Sequence, residues 1–222
     1  MLTELKREAY EANIALPQQG LINLTFGNAS AIDRRKGIFA IKPSGVAYDK
    51  LSPSDMVLVD LAGKKVEGDL KPSSDAPTHR RLYTGFKKIG GVVHTHSTYA
   101  TAWAARGEEI PCVITAMADE FGGPIPIGDF AIIGDDTIGR GIVEALTGHR
   151  SRAVLMQNHG PFTIGKDARD AVKAAVMVED VARTVHIARQ GGELIPIPQA
   201  AIDSLFNRYQ NVYGQAPQGA LK

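Results

Sequence analysis

Leu2, Leu5, Ala9, Ala12 and Leu16 recur at intervals of three and four. This spacing predicts an amphipathic helix over residues 2–16 that stops near Pro17 and Gly20. Between Ile22 and Asp60 the rhythm changes. Short apolar runs such as Ile38-Phe39-Ala40-Ile41 and Met56-Val57-Leu58-Val59 are separated by Phe26-Gly27-Asn28, Arg35-Lys36-Gly37, Pro43-Ser44-Gly45 and Pro53-Ser54-Asp55, a pattern of antiparallel strands joined by turns. Further along, helical spacing covers 78–86, 98–105 with Trp103 on the apolar side, and 137–146, while Val92-Val93 and Ala153-Val154-Leu155-Met156 read as buried strands. The longest helical pattern runs over 167–189, where Ala171, Ala174, Ala175, Val178, Val181, Ala182 and Val185 trace one face; a last helix covers 202–209. Residues 115–134, rich in Gly and Pro, follow neither period and are expected to form surface or interface loops. The whole predicts an α/β fold: a single-domain layered sandwich over 1–222, with a central, largely antiparallel sheet flanked by helices.

Composition narrows the partners. Lys plus Arg number 25 against 24 acidic residues, a formal net charge of +1, so nothing in the charge balance calls for nucleic acid or an anionic membrane. The one cysteine, Cys112, excludes an internal disulfide framework and is expected to be a buried, inert thiol. The first ten residues mix charges with apolar positions and lack the uncharged core of a signal peptide. No window approaches the roughly 20 apolar residues of a membrane span. A cytoplasmic location is the default expectation.

The candidate chemistry lies at the strand ends. His94 and His96 follow Val92-Val93, and on a strand residues two apart share a face, so both imidazoles are expected to point the same way. His159, in Asn158-His159-Gly160-Pro161, ends another apolar run. Three imidazoles suit a divalent transition metal and leave coordination positions for water or substrate. Lys71-Pro72-Ser73-Ser74-Asp75 and Lys42-Pro43-Ser44-Gly45 offer hydroxyls in turns, with Asp75 as an oxygen ligand or a base. Gly27-Asn28 adds a tight turn whose backbone N–H groups suit an anion. Together these suggest a phosphate pocket, although each turn alone reads first as structural punctuation. His79, His149 and His186 read as ordinary core or surface residues, with His79 able to orient a neighbour.

Five ordered motifs carry a resemblance: Gly-Asn-Ala-Ser-Ala at 27–31, Lys-Pro-Ser-Gly-Val at 42–46, Lys-Pro-Ser-Ser-Asp at 71–75, His-Thr-His-Ser at 94–97 and His-Gly-Pro-Phe at 159–162. They resemble the class II aldolase and adducin head superfamily, over nearly the full length to Tyr213-Gly214-Gln215. Within it the chain is most similar to the L-ribulose-5-phosphate 4-epimerase branch. The resemblance implies a metal, zinc or another divalent ion such as manganese or cobalt, held by Asp75, His94, His96 and His159. It implies substrate and phosphate contacts from Gly27, Asn28, Ser44, Gly45, Ser73 and Ser74. It implies an acid/base pair, Asp119 and Tyr213, with Tyr213 acting across a subunit boundary of a homotetramer on a small sugar-phosphate substrate.

Position 75 helps separate branches, because fuculose- and rhamnulose-phosphate aldolases resemble one another in carrying glutamate there. One departure stands out: the epimerase pattern resembles Thr-His-Ala-Asp where this chain has Ala116-Met117-Ala118-Asp119, and the 120–136 loop is shorter. The implied reaction converts L-ribulose 5-phosphate to D-xylulose 5-phosphate by breaking and re-forming the bond between carbons 3 and 4. A related ketose-phosphate aldolase is the alternative. A non-catalytic, adducin-like interaction domain is the rival from another class, and retention of the four candidate ligands argues against it.

Overall fold

The computed structural model describes residues 2–213. Among these, the strands are β1 (Asn28–Asp33), β2 (Ile38–Ile41), β3 (Val57–Asp60), β4 (Lys65–Glu67), β5 (Gly91–His94), β6 (Ile127–Gly128), β7 (Ala153–Met156) and β8 (Gly160–Gly165). The helices are α1 (Leu2–Gln18), α2 (Ala76–Gly85), α3 (Thr98–Arg106), α4 (Thr115–Phe121), α5 (Thr137–Leu146), α6 (Ala168–Gln190) and α7 (Gln199–Asn211). All the strands join one sheet in the order β4-β3-β2-β1-β5-β8-β7-β6. Its pairings are antiparallel except for β6 with β7. This is the predicted layered α/β architecture.

Both faces of the sheet are covered, which explains why its inner strands read as continuous apolar runs rather than clean alternations. In β3, Leu58 packs with α1, whereas Val57 and Val59 pack with Leu82 and Tyr83 of α2 and with α5. The same division separates Val93 from Val92 in β5, and Leu155 from Val154 and Met156 in β7. Alternate side chains point to opposite faces, and each face meets helices. The apolar stripe of α6 serves two regions: Ala168, Ala171, Val172 and Ala175 meet α1 and the sheet, while Val178, Val181, Ala182 and Val185 meet α3, α4 and α7.

Two local differences have physical reasons. Residues 115–121, expected as loop, form α4, because Met117, Ala118 and Phe121 are buried in a cluster with Ile202 of α7. A seven-residue helix is marginal by propensity, so tertiary packing makes it. It stops at Gly122, which takes the left-handed φ of 65°. Met117 itself has no exposed surface, so the departure from the family pattern at this position is absorbed in the core. At the other end of the chain, α1 runs to Gln18 with Pro17 in its last turn, slightly past the expected stop. Cys112 is buried, and burial pushes its thiol up to about 11, as expected of an inert group. No helix among the described residues is long and apolar enough to cross a membrane.

Leu58, fully buried between α1 and the sheet, offers a test of this packing. Leu58→Ala removes its contacts without an evident route for collapse and is expected to cost about 3 kcal/mol. Urea unfolding should show a lower midpoint with unchanged slope.

Candidate metal centre

The centre is built on one row of residues across three strands. Asn28 of β1 pairs with His94 of β5, and His94 pairs with Phe162 of β8. The His94 ring stacks on Phe162 with centroids 4.1 Å apart and 13° between planes. Its Nδ1 lies 3.0 Å from the carbonyl oxygen of Pro161, which can only accept. Nδ1 therefore carries the proton and Nε2 the lone pair. Strand β5 ends at His94, so His96 lies beyond the ladder; it nevertheless turns to the same side, its Nε2 3.0 Å from that of His94. The backbone path through 95–97, rather than strand alternation, brings them together. His159 sits in the tight β7–β8 connection after Asn158, whose φ is 57°. Its ring centroid is 4.6 Å from that of His94 and 5.2 Å from that of His96. Candidate ligand atoms of all three histidines lie within 4.8 Å of one another.

Two glycines permit this closeness. A Cβ at Gly27, where φ is +83°, would fall 2.8 Å from the carbonyl oxygen of His94. A Cβ at Gly160 would fall 2.7 Å from that of Thr95. The segment carrying the first two histidines is thus clasped by bare backbone from both sides.

A cavity of about 410 Å³ opens above the three imidazoles. Gly27, Asn28, Ser44, Gly45, Ser73, Ser74 and Asp75 all line it, so ten of the twelve residues singled out from the sequence, counting the histidines, meet in one place. The two Lys-Pro-Ser turns are joined directly. Ser44 N–H donates to Lys71 O at 3.0 Å, and Ser73 N–H donates to Lys42 O at 2.9 Å, around a Pro43–Pro72 bridge. Among the described residues, Lys42 is the only lysine or arginine on the wall. Its ammonium donates to the carbonyls of Val46 and Pro43 and lies 4.7 Å from the centre of the Tyr48 ring. Burial without a carboxylate pulls its pKa down to about 8. Tyr48 in turn donates its hydroxyl to Gly27 O at 2.9 Å, tying the two sides of the cavity. A larger open groove of about 860 Å³ lies beside Trp103 and Glu108, but Glu108 is already paired with Arg106 and Arg189, and no comparable donor set converges there.

Asp75 occupies the N-cap position of α2 yet makes no capping bond with its side chain. Instead Oδ2 accepts from Asn28 Nδ2 at 2.7 Å, and Asn28 Nδ2 also donates to Ser73 Oγ at 3.1 Å. Asp75 Oδ1 and Asn28 Oδ1 are buried without hydrogen-bond partners. Burial holds His94 well below its ordinary pKa, with repulsion from His159 and His96 adding to the shift. Burial likewise lowers His96 and His159, against an opposing pull from Asp75. Neutral imidazoles beside an unsatisfied carboxylate oxygen fit a divalent cation, because the cation needs lone pairs that protons do not occupy. Asp75 stands at the edge of the imidazole trio rather than within it.

Asp119 and Tyr213 are not on the cavity wall. They lie together near α7. Arg208 Nη2 is 3.8 Å from Asp119 Oδ1, the Arg208 guanidinium lies over the Tyr213 ring, and Tyr213 stacks on Tyr209 while remaining 65 % exposed. The Gly214-Gln215 part of that motif falls outside the described residues. His79, read as a core or surface residue able to orient a neighbour, is fully buried; its Nδ1 is 2.7 Å from Ser30 Oγ, which is also 2.7 Å from Tyr83 Oη. Burial drives its pKa down to about 3. His149 accepts from Ser151 N–H, and His186 meets the Tyr99 ring and Gln190, both ordinary structural roles.

This sheet-and-histidine arrangement defines an α/β fold whose sheet ends carry a histidine trio able to hold a metal ion. Residues 7–186 match the family model described as Class II Aldolase and Adducin N-terminal domain, and the chain belongs to this family. Class II aldolases use a divalent metal, and the histidine trio could hold one. Among solved structures, an L-fuculose 1-phosphate aldolase is similar with a TM-score of 0.88 and 29 % identity, over 93 % of this chain and 96 % of that one. YgbL from Escherichia coli is similar with a TM-score of 0.78 and 26 % identity, over 91 % and 98 %. The l-fuculose-1-phosphate aldolase from Thermus thermophilus gives 0.72 and 26 %, over 86 % and 98 %.

The depressed histidines make acid sensitivity predictable. In the unfolded chain imidazoles take up protons near pH 6.5, whereas the folded metal-free protein refuses them until lower pH, down to about 3 for His79. The unfolded state then binds more protons, so stability is complete above about pH 6.5 and falls as pH drops below it. Urea midpoints of the metal-free protein should be level above about pH 7 and decline toward pH 5. A midpoint that stays level across that range would contradict buried neutral imidazoles.

Proposed function

We propose that this protein is a divalent-metal enzyme of sugar-phosphate carbon–carbon chemistry, and specifically that it epimerises L-ribulose 5-phosphate to D-xylulose 5-phosphate. The observation that carries the proposal is the shared cavity: three neutral imidazoles and an unsatisfied Asp75 oxygen face the same space as two paired Ser-bearing turns and one buried lysine. His94, His96, His159 and Asp75 would hold the ion, which when bound supplies a Lewis acid for cleavage beside a carbonyl.

The chain's own residues define the rest. Carbon 4 of a 2-ketose is not adjacent to the carbonyl, so its hydrogen is not acidic enough for simple abstraction, and inversion there calls for breaking the bond to carbon 3. The two-carbon aldehyde phosphate formed must stay bound while it turns. Hydroxyls of Ser44, Ser73 and Ser74, with the Gly27-Asn28 and Gly45 backbone, would grip its phosphate. Lys42, still largely protonated at neutral pH with a pKa of about 8, would offset part of its charge. A held fragment recombines at high effective concentration instead of escaping.

Re-forming the bond on the opposite face asks for proton carriers on both sides of the aldehyde. We assign these to Asp119 and Tyr213, one taking the carbon-4 hydroxyl proton and the other protonating the new alkoxide. Arg208 lies beside both on the α7 side of the molecule, and the proposal has Tyr213 act across a subunit boundary of a homotetramer.

A second reading is favoured by the similar structures named L-fuculose 1-phosphate aldolase: the same cleavage with release of the aldehyde. Asp75 in place of the glutamate expected in that branch supports the epimerase. An NMR time course of metal-loaded protein with L-ribulose 5-phosphate separates the two. D-xylulose 5-phosphate without free glycolaldehyde phosphate is the expected outcome; accumulating aldehyde would move the assignment to an aldolase. The division of roles is checked separately. His94→Asn should abolish binding of zinc, manganese and cobalt, whereas Tyr213→Phe should bind them normally and turn over at least about 100-fold more slowly; equal metal loss in both would refute it.

A further inference from the structure

His96 has no strand partner, since β5 ends two residues earlier, and the ring it stacks on, Phe26, is itself half exposed. Its position depends on the backbone between two anchors. The first is Thr95 N–H, which donates to Pro161 O at 3.3 Å. The second is the start of α3, two residues beyond His96. That helix has only nine residues, and its N-cap residue, Ser97, makes no capping bond with its side chain; Ser97 Oγ instead accepts from Thr95 Oγ1 at 3.3 Å. The first-turn amides would therefore be left without partners. Two of them are not, because Glu179 of α6 reaches across: Tyr99 N–H donates to Oε1 at 2.9 Å and Ala100 N–H to Oε2 at 3.0 Å. Both carboxylate oxygens are used, and the negative charge sits at the positive end of the helix.

From this geometry we infer that Glu179 is a positioning residue for His96, capping α3 from a distant helix and so fixing the segment 95–97 that aims the imidazole. Ser97, the residue placed to cap these two amides, makes no such bond. The functional meaning of the inference rests on the metal reading above; the geometric content does not. At the far end of the same helix, Trp103 Nε1–H donates to Ala182 O of α6 at 3.1 Å. That bond holds α3 to the same partner without touching its first turn, which makes it the natural control.

The test compares wild-type protein with Glu179→Ala, Glu179→Gln and Trp103→Phe. In metal-free protein with labelled histidines, NMR contacts between the His94 and His96 rings, whose centroids are 4.8 Å apart, report positioning directly. The zinc dissociation constant reports its consequence. Glu179→Ala should lose the ring contacts and weaken zinc roughly tenfold, in the range typical of groups that orient ligands. Glu179→Gln, which keeps one acceptor oxygen, should fall between it and wild type. Trp103→Phe should lower the melting temperature while preserving both readouts. Unchanged ring contacts in Glu179→Ala, or equal losses in Trp103→Phe, would overturn the inference. Were Glu179→Ala not to fold, wild-type behaviour of Glu179→Gln in both measurements would overturn it as well. If wild-type protein bound no zinc, manganese or cobalt, the metal reading would fail while the ring contacts still decided the role of Glu179.

Discussion

The carbonyl oxygen of Pro161 is the point on which the centre turns. It receives the Nδ1–H of His94 at 3.0 Å and the N–H of Thr95 at 3.3 Å. One bond sets the tautomer and rotation of an imidazole; the other carries the β5–β8 pairing one residue past the end of the strand. Both exist only because backbone approaches backbone more closely than a Cβ would allow, at Gly27 on one side and Gly160 on the other. The pairing of Asn28, His94 and Phe162 in one row then follows from sheet register. A slip of one residue would turn His94 to the other face, away from the cavity and from its Phe162 and Asn28 neighbours.

An arrangement of this kind works against stability, and the fold tolerates it because the rest of the sheet is covered on both faces. Asp75 gives up the capping bond that an N-cap aspartate usually makes, worth about 1 kcal/mol, and turns toward Asn28. Unpartnered oxygens on Asp75 and Asn28 add the cost of burying polar atoms. Elsewhere α2 is held firmly: Arg34 donates to the carbonyls of Tyr83, Phe86 and Ile89 around its C-terminal end, and Leu82 and Tyr83 are fully buried. The helix is anchored at the end remote from the centre. Its N-terminal end is left free to present Asp75.

How much of this was readable in the amino-acid sequence follows from whether the cause was local. Strands β2, β3, β5 and β7 and helices α1, α5 and α6 announce themselves through period, and Gly27, Ser44, Ser73 and the three histidines through motif. Helix α4 did not, since its Phe121 and Met117 are helical only because Ile202 of α7 packs on them. The alternation argument brought His94 and His96 together for an incomplete reason: the strand stops at His94, and a capped helix completes the turn. Glu179, some 80 residues away in sequence, could not be tied to that turn without the fold. The recurrence of Lys-Pro-Ser was visible, but not that the two copies bond to each other. Nor was it visible that Lys42 would be buried without an acidic partner.

The separation between the cavity and a remote Asp119–Arg208–Tyr213 cluster bears on the proposed choice between aldol release and epimerisation. The residues proposed to bind a phosphate and to present lone pairs to a cation belong to sheet ends and turns joined by backbone bonds. The proposed proton carriers stand instead on short or terminal elements: α4 depends on α7 for its existence, and Tyr213 follows the last turn of α7 with most of its surface exposed. On that proposal, changes in that region would alter which side of the aldehyde offers a proton to its oxygen as the carbon–carbon bond re-forms, without disturbing the cavity. Conversely, the paired Ser turns would, on the proposed reading, decide whether the fragment stays bound through its rotation. On the proposed reading, recapture rather than loss of the two-carbon aldehyde phosphate turns on how tightly two turns, joined through Lys42 and Lys71 carbonyls, close around its phosphate.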